Sequence, residues 1–339
     1  MYLSWAPRRT AQAKRCTISG SGTAAQPASG RMGTKMIAPL VQSFYHAATN
    51  TWTHVVADPG SKAAAIIDPV LDFDPASGRI GSEHAQIVLA YVRERELRVD
   101  WILETHAHAD HLTSADWLKQ QLGSAGEPST VPWTGPSTQL RTGIGAGIVA
   151  VQRHFHEVFD LDPAFRADGS QFDHLFADDE HFAIGGLDVR ALATPGHTND
   201  GISYLVGDAV FVGDTLFAPG GGTGRCDFPG ADAATQYRSI RRLYSLPDAT
   251  RVFLCHDYPA AGADPVAETS IGAEKAGNIH LRAETTEAEY VAFRRQRDAT
   301  LAVPRLLYPS LQVNIRAGQL PEPDTAGRIF LRLPVQVAG

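Results

Sequence analysis

The chain has 339 residues, 43% apolar and 20% charged, the profile of a folded protein with a sizeable core. No apolar run approaches the roughly 18 residues of a transmembrane helix, and a net charge of -7 disfavours a nucleic-acid partner. Three cysteines, Cys16, Cys226 and Cys255, form no CxxC pair and cannot build a disulfide framework, which points to a reducing compartment.

The charge is uneven. Residues 1–36 hold Arg8, Arg9, Lys14, Arg15, Arg31 and Lys35 and no acid. Basic, Ser-rich and acid-poor, they have the composition of a transit peptide, which would direct the protein to the mitochondrial matrix. The plainer expectation is an upstream extension of a cytoplasmic bacterial protein that begins at Met32 or Met36. In both cases the folded domain is expected over 37–339, its last part, from about 285, a helical or irregular extension.

From Ile37 the chain turns β-rich. Thr51–Ala57 and Ala63–Ile67 flank a Pro59-Gly60 turn, a hairpin signal. Glu83–Arg98 carries apolar residues near helical spacing, and Trp101–Leu103 is a short apolar strand. Asp110–Leu122 reads as a helix, followed by a Pro/Gly/Ser/Thr-rich loop over 124–142. His154 and His156 flank Phe155 in what reads as a half-exposed segment. Two hairpins follow, His181–Ile184 with Leu187–Ala193 and Ile202–Val206 with Ala209–Val212, joined by Gly-Gly and Gly-Asp turns. Asp232–Leu246 reads as a helix with Asp232 as N-cap, Arg251–Cys255 as a strand, and Thr286–Glu289 as a capping box opening a helix that Pro304 ends. Strand pairs followed by helices, twice over, predict an α/β fold, an αββα sandwich of two mixed sheets with helices outside.

Three histidines and an aspartate crowd into His106, His108, Asp110 and His111, within Thr105–His111, THAHADH. Imidazole and carboxylate are the usual ligands of zinc and non-haem iron. The cluster follows the strand Trp101–Leu103. His197 follows a strand ending near Ala193, Asp214 follows Ala209–Val212, and His256 follows Arg251–Cys255. Four strand ends each deliver a ligand-type side chain, which is what a metal site at one edge of a sandwich requires.

THAHADH, then TPGHT (194–198), GDTLF (213–217) and CHDY (255–258), in that order, resemble the metallo-β-lactamase superfamily. In a dinuclear member of that superfamily, His106, His108 and His197 would hold one metal, Asp110, His111 and His256 the other, and Asp214 would bridge. The segment Gly213–Phe228, GDTLFAPGGGTGRCDF, and the segment Pro309–Pro321, PSLQVNIRAGQLP, resemble the persulfide dioxygenases and their bacterial β-lactamase-like hydrolase subgroup. That resemblance implies oxidation of glutathione persulfide by O2 and water to sulfite and glutathione, in sulfide detoxification, and a homo-oligomer. It implies one Fe(II) held by His106, His197 and Asp214, a facial triad with three open positions. His108, Asp110, His111 and His256 would then support the triad or hold a second metal. Arg225 would grip a glutathione carboxylate and Tyr258 would donate to substrate, set against a structural Arg225–Asp227 pair and a core tyrosine. Cys226 stands where many relatives carry Thr, and packing is its simplest role. Cys255 is expected to be a buried, inert thiol pointing away from His256. The main alternative is a glyoxalase II-type thioester hydrolase with two zinc or iron ions; the other is a sulfur-binding sensor or carrier without turnover.

Overall fold

In a computed structural model, residues 37–123, 139–260 and 262–335 are described, all within one compact unit, Met36–Gly339. The basic segment 1–36 and most of the loop read over 124–142 lie outside them.

The first half contributes strands β1 (Leu40–His46), β2 (Thr51–Ala57), β3 (Ala63–Ile67), β4 (Val70–Asp74) and β5 (Arg79–Gly81), then helix α1 (Glu83–Glu94) and β6 (Arg98–Leu103). Strand β7 (Leu112–Thr113), helix α2 (Ala115–Leu122), strand β8 (Arg141–Gly145), helix α3 (Ile148–Val158) and strand β9 (His174–Phe176) complete it. The second half has β10 (Glu180–Ile184), β11 (Leu187–Ala193), β12 (Ile202–Val206), β13 (Ala209–Phe211), α4 (Ala233–Leu243), β14 (Arg251–Phe253) and β15 (Glu268–Ser270). Helices α5 (Ile271–Gly277), α6 (Glu287–Asp298) and α7 (Leu307–Asn314) close the chain. No helix among the described residues is long and apolar enough to cross a membrane.

One mixed sheet runs β1-β2-β3-β6-β8-β9 and the other β10-β11-β12-β13-β14-β15; a small third sheet runs β5-β4-β7. The side-chain alternation of β3 shows why the sheets stack. Ala63, Ala65 and Ile67 enter the core between the sheets with Trp101, Leu103, Phe182, Tyr204 and Phe211. Ala64 and Ile66 face the other way, onto Val88, Leu89 and Val92 of α1 and Leu118 of α2. A strand buried on both faces must be apolar throughout, as this one is. On the far side, Val210 and Val252 meet Ile240 and Leu243 of α4 and Tyr290 of α6. The result is the expected αββα sandwich.

The sequence reading departs from the structure at several points. The helix read from Asp110 begins only at Ala115, because β4 recruits Leu112 and Thr113 as a short antiparallel partner. The half-exposed segment at 154–156 lies on a helix: Ile148, Val151 and Phe155 form the buried face of α3, leaving His154 and His156 half-buried as read. Arg141 and Thr142, read as loop, start β8 and pair with Trp101 and Ile102. The strand through Cys255 stops at Phe253. Asp232 caps α4 as read, accepting from Thr235 N at 2.7 Å, and the capping box of Thr286 and Glu289 forms.

Candidate metal centre

Every predicted donor leaves the end of a strand, but each needs local bracing. After β6, residues 104–111 follow an irregular path. Asp68, just past β3, accepts from Thr105 N at 2.7 Å and Thr105 Oγ1 at 2.9 Å, and meets His108 Nε2 at 3.0 Å. Asp200 accepts from Ala107 N at 2.7 Å. Asn314, at the end of α7, donates to the carbonyls of His108 and His111 at 2.8 and 2.7 Å and accepts from Thr113 N at 2.8 Å. The buried loop's polar backbone is thus paired by side chains from three distant elements, as burial demands.

His197 donates from Nδ1 to the Arg225 carbonyl at 2.7 Å, which turns its Nε2 inward. Asp214 sits in a one-turn 3-10 element, Gly213–Thr215. Gly213 has φ +54°, and a Cβ there would lie 2.6 Å from Thr105 Oγ1, so only glycine lets Asp214 approach the histidine loop. His256 follows β14, and its Nδ1 donates to the Asn50 carbonyl at 3.0 Å.

These elements gather the donors into two adjoining sets. One ligand atom each from His106, His197 and Asp214 lies within 4.8 Å of the others, and so do those of His108, Asp110, His111 and His256. Asp214 lies between the sets: its Oδ2 is 3.4 Å from His197 Nε2 and its Oδ1 3.4 Å from His256 Nε2. His256 Nε2 is also 3.2 Å from Asp110 Oδ2.

His108 Nδ1, His111 Nε2, His256 Nε2 and Asp214 Oδ1 are buried without a hydrogen-bond partner. A buried orphan polar atom costs about 1–3 kcal/mol. Three of these atoms belong to the second set and Asp214 Oδ1 faces it, so the orphans fit an ion held there, while the first set, two imidazoles and a carboxylate, has the chemistry of a metal-ligand set in its own right. The donors also act on one another's charge. Burial, then the neighbouring imidazoles of His108 and His197, push His106 well below the ordinary histidine value. Burial opposes ionisation of Asp110, but His256, His111 and His108 outweigh it and hold its carboxyl low.

The two sets differ in access. His106, Asp110, His197 and Asp214 line a cavity of about 490 Å³, whereas His108, His111 and His256 are 0–1% exposed and do not line it. Tyr258 and Arg225 also line that cavity. Tyr258 exposes 60% of its surface, and its ring lies parallel to His256 at 6.1 Å, so it is not a core tyrosine. The Arg225 guanidinium is bidentate to Asp227 at 2.5 and 2.6 Å and donates to the Ala302 carbonyl at 2.7 Å. A substrate carboxylate would have to share those donors.

Cys255 needs a correction. The sequence reading turned it away from His256, but the strand has ended, and its thiol lies within 4.8 Å of ligand atoms of Asp214 and His256 and, in another grouping, of Asp68 and His108. Burial raises its pKa. Cys226 donates from Sγ to Gln236 Oε1 at 2.6 Å, and burial pushes its thiol upward too, a packing role.

Sequence reasoning missed Asp68, Asp200 and Asn314. Asp68 carried a usable signal, an acid directly after a strand, like the other donors. Asn314 lies inside the segment PSLQVNIRAGQLP, and Asp200 three residues past His197.

The metallo-beta-lactamase superfamily model matches residues 48–256. A probable metallo-hydrolase of Burkholderia pseudomallei is 44% identical over 305 residues, 87% of this chain and 98% of that protein. The beta-lactamase hydrolase-like protein of Xylella fastidiosa is 43% identical over 297 residues, and the match covers 88% of this chain but 65% of that relative's length. The mitochondrial persulfide dioxygenase ETHE1 of Homo sapiens is 25% identical over 232 residues, 68% of this chain and 72% of that one. Among solved structures, ETHE1 from Myxococcus xanthus superposes with a TM-score of 0.62 at 28% identity, covering 83% of this chain and 100% of that one.

Proposed function

This chain belongs to the metallo-beta-lactamase superfamily, and we propose that within it the chain is a non-haem iron persulfide dioxygenase. It converts glutathione persulfide, O2 and water to glutathione and sulfite. The observation that carries this reading is the difference in access: His106, His197 and Asp214 all line the cavity, while three of the four donors of the second set do not. Two histidines and a carboxylate are the ligand set of non-haem iron oxygenases. Bound there, Fe(II) supplies open positions and a route for electrons from sulfur to O2.

The protein's own groups do the rest. The Arg225 carbonyl fixes the tautomer of His197, and Thr105 Oγ1, 3.1 Å from His106 Nδ1, orients the other imidazole. Phe217, Phe228 and Leu306 in the cavity wall exclude water from the sulfur. Tyr258, at the cavity wall beside His256, is placed to donate a hydrogen bond to substrate. Asp110 faces the cavity as a carboxylate, held charged by His256, His111 and His108.

One observation favours a second reading. The second donor set is complete and shares Asp214 with the first, the arrangement a two-metal thioester hydrolase needs; two of the relatives carry hydrolase names. The two readings separate in one assay. The iron-loaded protein is given glutathione persulfide and, separately, S-lactoylglutathione. Consumption of O2 with sulfite formation is expected; thioester hydrolysis without O2 uptake would replace the dioxygenase by the hydrolase.

A further inference from the structure

The iron set and the cavity it lines leave a nucleophilic side chain unused. Cys255 is free and 1% exposed, yet among the described residues it joins none of the apolar clusters, whereas its neighbour Leu254 packs with Val252, Ile271 and Leu281. The backbone fixes this division. Leu254 N donates to the Ala267 carbonyl at 3.0 Å, Trp52 N donates to the Cys255 carbonyl at 2.7 Å, and His256 forms a β-bridge with Thr51. Past the end of β14 at Phe253, these bonds hold Leu254 in the core and leave the thiol among the metal donors.

The donors around the sulfur are uncommitted. Ligand atoms of Asp214, Cys255 and His256 lie within 4.8 Å of one another. Asp214 Oδ1 and His256 Nε2, 3.4 Å apart, are both buried without a hydrogen-bond partner, and His256 is 0% exposed. The sulfur is also grouped with Asp68 and His108, but there the Asp68 oxygens already take Thr105 N, Thr105 Oγ1 and His108 Nε2. An ion at the sulfur is therefore better served from the side of Asp214 and His256. Asp110 Oδ2, 3.2 Å from His256 Nε2, is the next oxygen in reach.

Donor chemistry then separates the two sets. His106, His197 and Asp214 offer only imidazole and carboxylate, a set suited to iron, whereas a thiolate is a soft ligand that favours zinc and cadmium. We propose that Cys255 is a metal ligand and that, with His256 and Asp214, it makes the second donor set a site for a soft divalent ion, zinc or cadmium. As the sulfur–metal bond forms, the S–H bond breaks and its proton leaves to solvent. The thiol that reads from sequence as inert thus gives the second set a preference the iron set lacks.

The test uses the full chain. Metal-free protein is loaded with excess zinc, desalted, and its zinc-edge X-ray absorption measured; a sulfur neighbour at about 2.3 Å is expected. In a parallel anaerobic titration with Co(II), a thiolate-to-cobalt charge-transfer band should rise in wild type and in Cys226→Ser and be absent from Cys255→Ser and Cys255→Ala. Cd(II) affinity should fall at least roughly 10- to 100-fold in both Cys255 variants, a scale that even the loss of an outer partner of a ligand reaches. Fe(II) titration of the same variants should still give one tight ion, and a merely packing thiol would not move that cadmium-over-iron preference. Zinc with nitrogen and oxygen neighbours alone in wild type overturns the proposal, and this result needs no variant to fold. A cobalt band that survives in Cys255→Ala overturns it as well. The inference does not depend on the persulfide reaction: O2 uptake without a sulfur neighbour on zinc removes the thiolate ligand and leaves the dioxygenase reading standing, and a sulfur neighbour without O2 uptake does the reverse.

Discussion

Replacing Asp68 probes how the fold orients the metal donors. Its carboxylate is 1% exposed and takes three contacts, from Thr105 N, Thr105 Oγ1 and His108 Nε2, at 2.7 to 3.0 Å. Asp68→Ala strands a buried backbone N–H and a buried imidazole N–H. At about 1–3 kcal/mol for each stranded group, the metal-free protein should lose roughly 3–5 kcal/mol. Asp68→Asn keeps an acceptor for Thr105 N and should lose about half as much. Thr105 also contacts His106, so metal affinity should fall about 10- to 100-fold in both variants. Burial raises the Asp68 pKa, but the His108 charge and the hydrogen bonds outweigh it, leaving the folded value below the unfolded one. The carboxylate's contribution is therefore present above about pH 4 and is lost as pH falls through the folded value. Urea denaturation of metal-free protein at pH 7, with chelator competition for affinity, measures both effects. A loss under about 1 kcal/mol for Asp68→Ala, with unchanged metal affinity, would refute the bracing role.

Three further outcomes follow from the geometry. Gly213→Ala puts a Cβ 2.6 Å from Thr105 Oγ1 at φ +54° and should cost about 2–3 kcal/mol and most of the bound metal; normal metal content would contradict it. His54 is buried, with Nε2 2.9 Å from the Leu254 carbonyl, and burial lowers its pKa to about 4. The unfolded chain therefore takes up a proton at about pH 6.5 that the folded one refuses, so stability should fall by up to about 3 kcal/mol between pH 6.5 and 4. His54→Gln should flatten that slope, and an identical slope in both proteins would refute the assignment. Arg225→Ala removes the bidentate partner of Asp227 and a donor to Ala302. It should lower the denaturation midpoint by an amount worth about 1 kcal/mol; an unchanged midpoint would mean that the brace carries nothing.

What could be read from the sequence was local. Ala63–Ile67 is apolar at every position because both its faces are covered, and the donors at 106–111, 197, 214 and 256 announce themselves by following strands. What could not be read was set by partners far along the chain. Leu112 and Thr113 have no local reason to leave a helix; they do so because β4 pairs with them. Asn314 braces carbonyls at His108 and His111 from more than 200 residues away, and no periodicity reports that. Cys255 turns toward the donors because its strand ends two residues earlier than apolar content suggests. The Arg225–Asp227 pair was one of the two readings of that arginine, but the contact of its guanidinium with the distant Ala302 carbonyl could not be read.

The central claim is that iron sits singly among His106, His197 and Asp214. Titration of metal-free protein with Fe(II) under anaerobic conditions measures this directly, read as ions bound per chain. The account predicts one tight ion, lost in His106→Ala, His197→Ala and Asp214→Ala and retained in His256→Ala. Two tight ions per chain, one of them removed by His256→Ala, would contradict it.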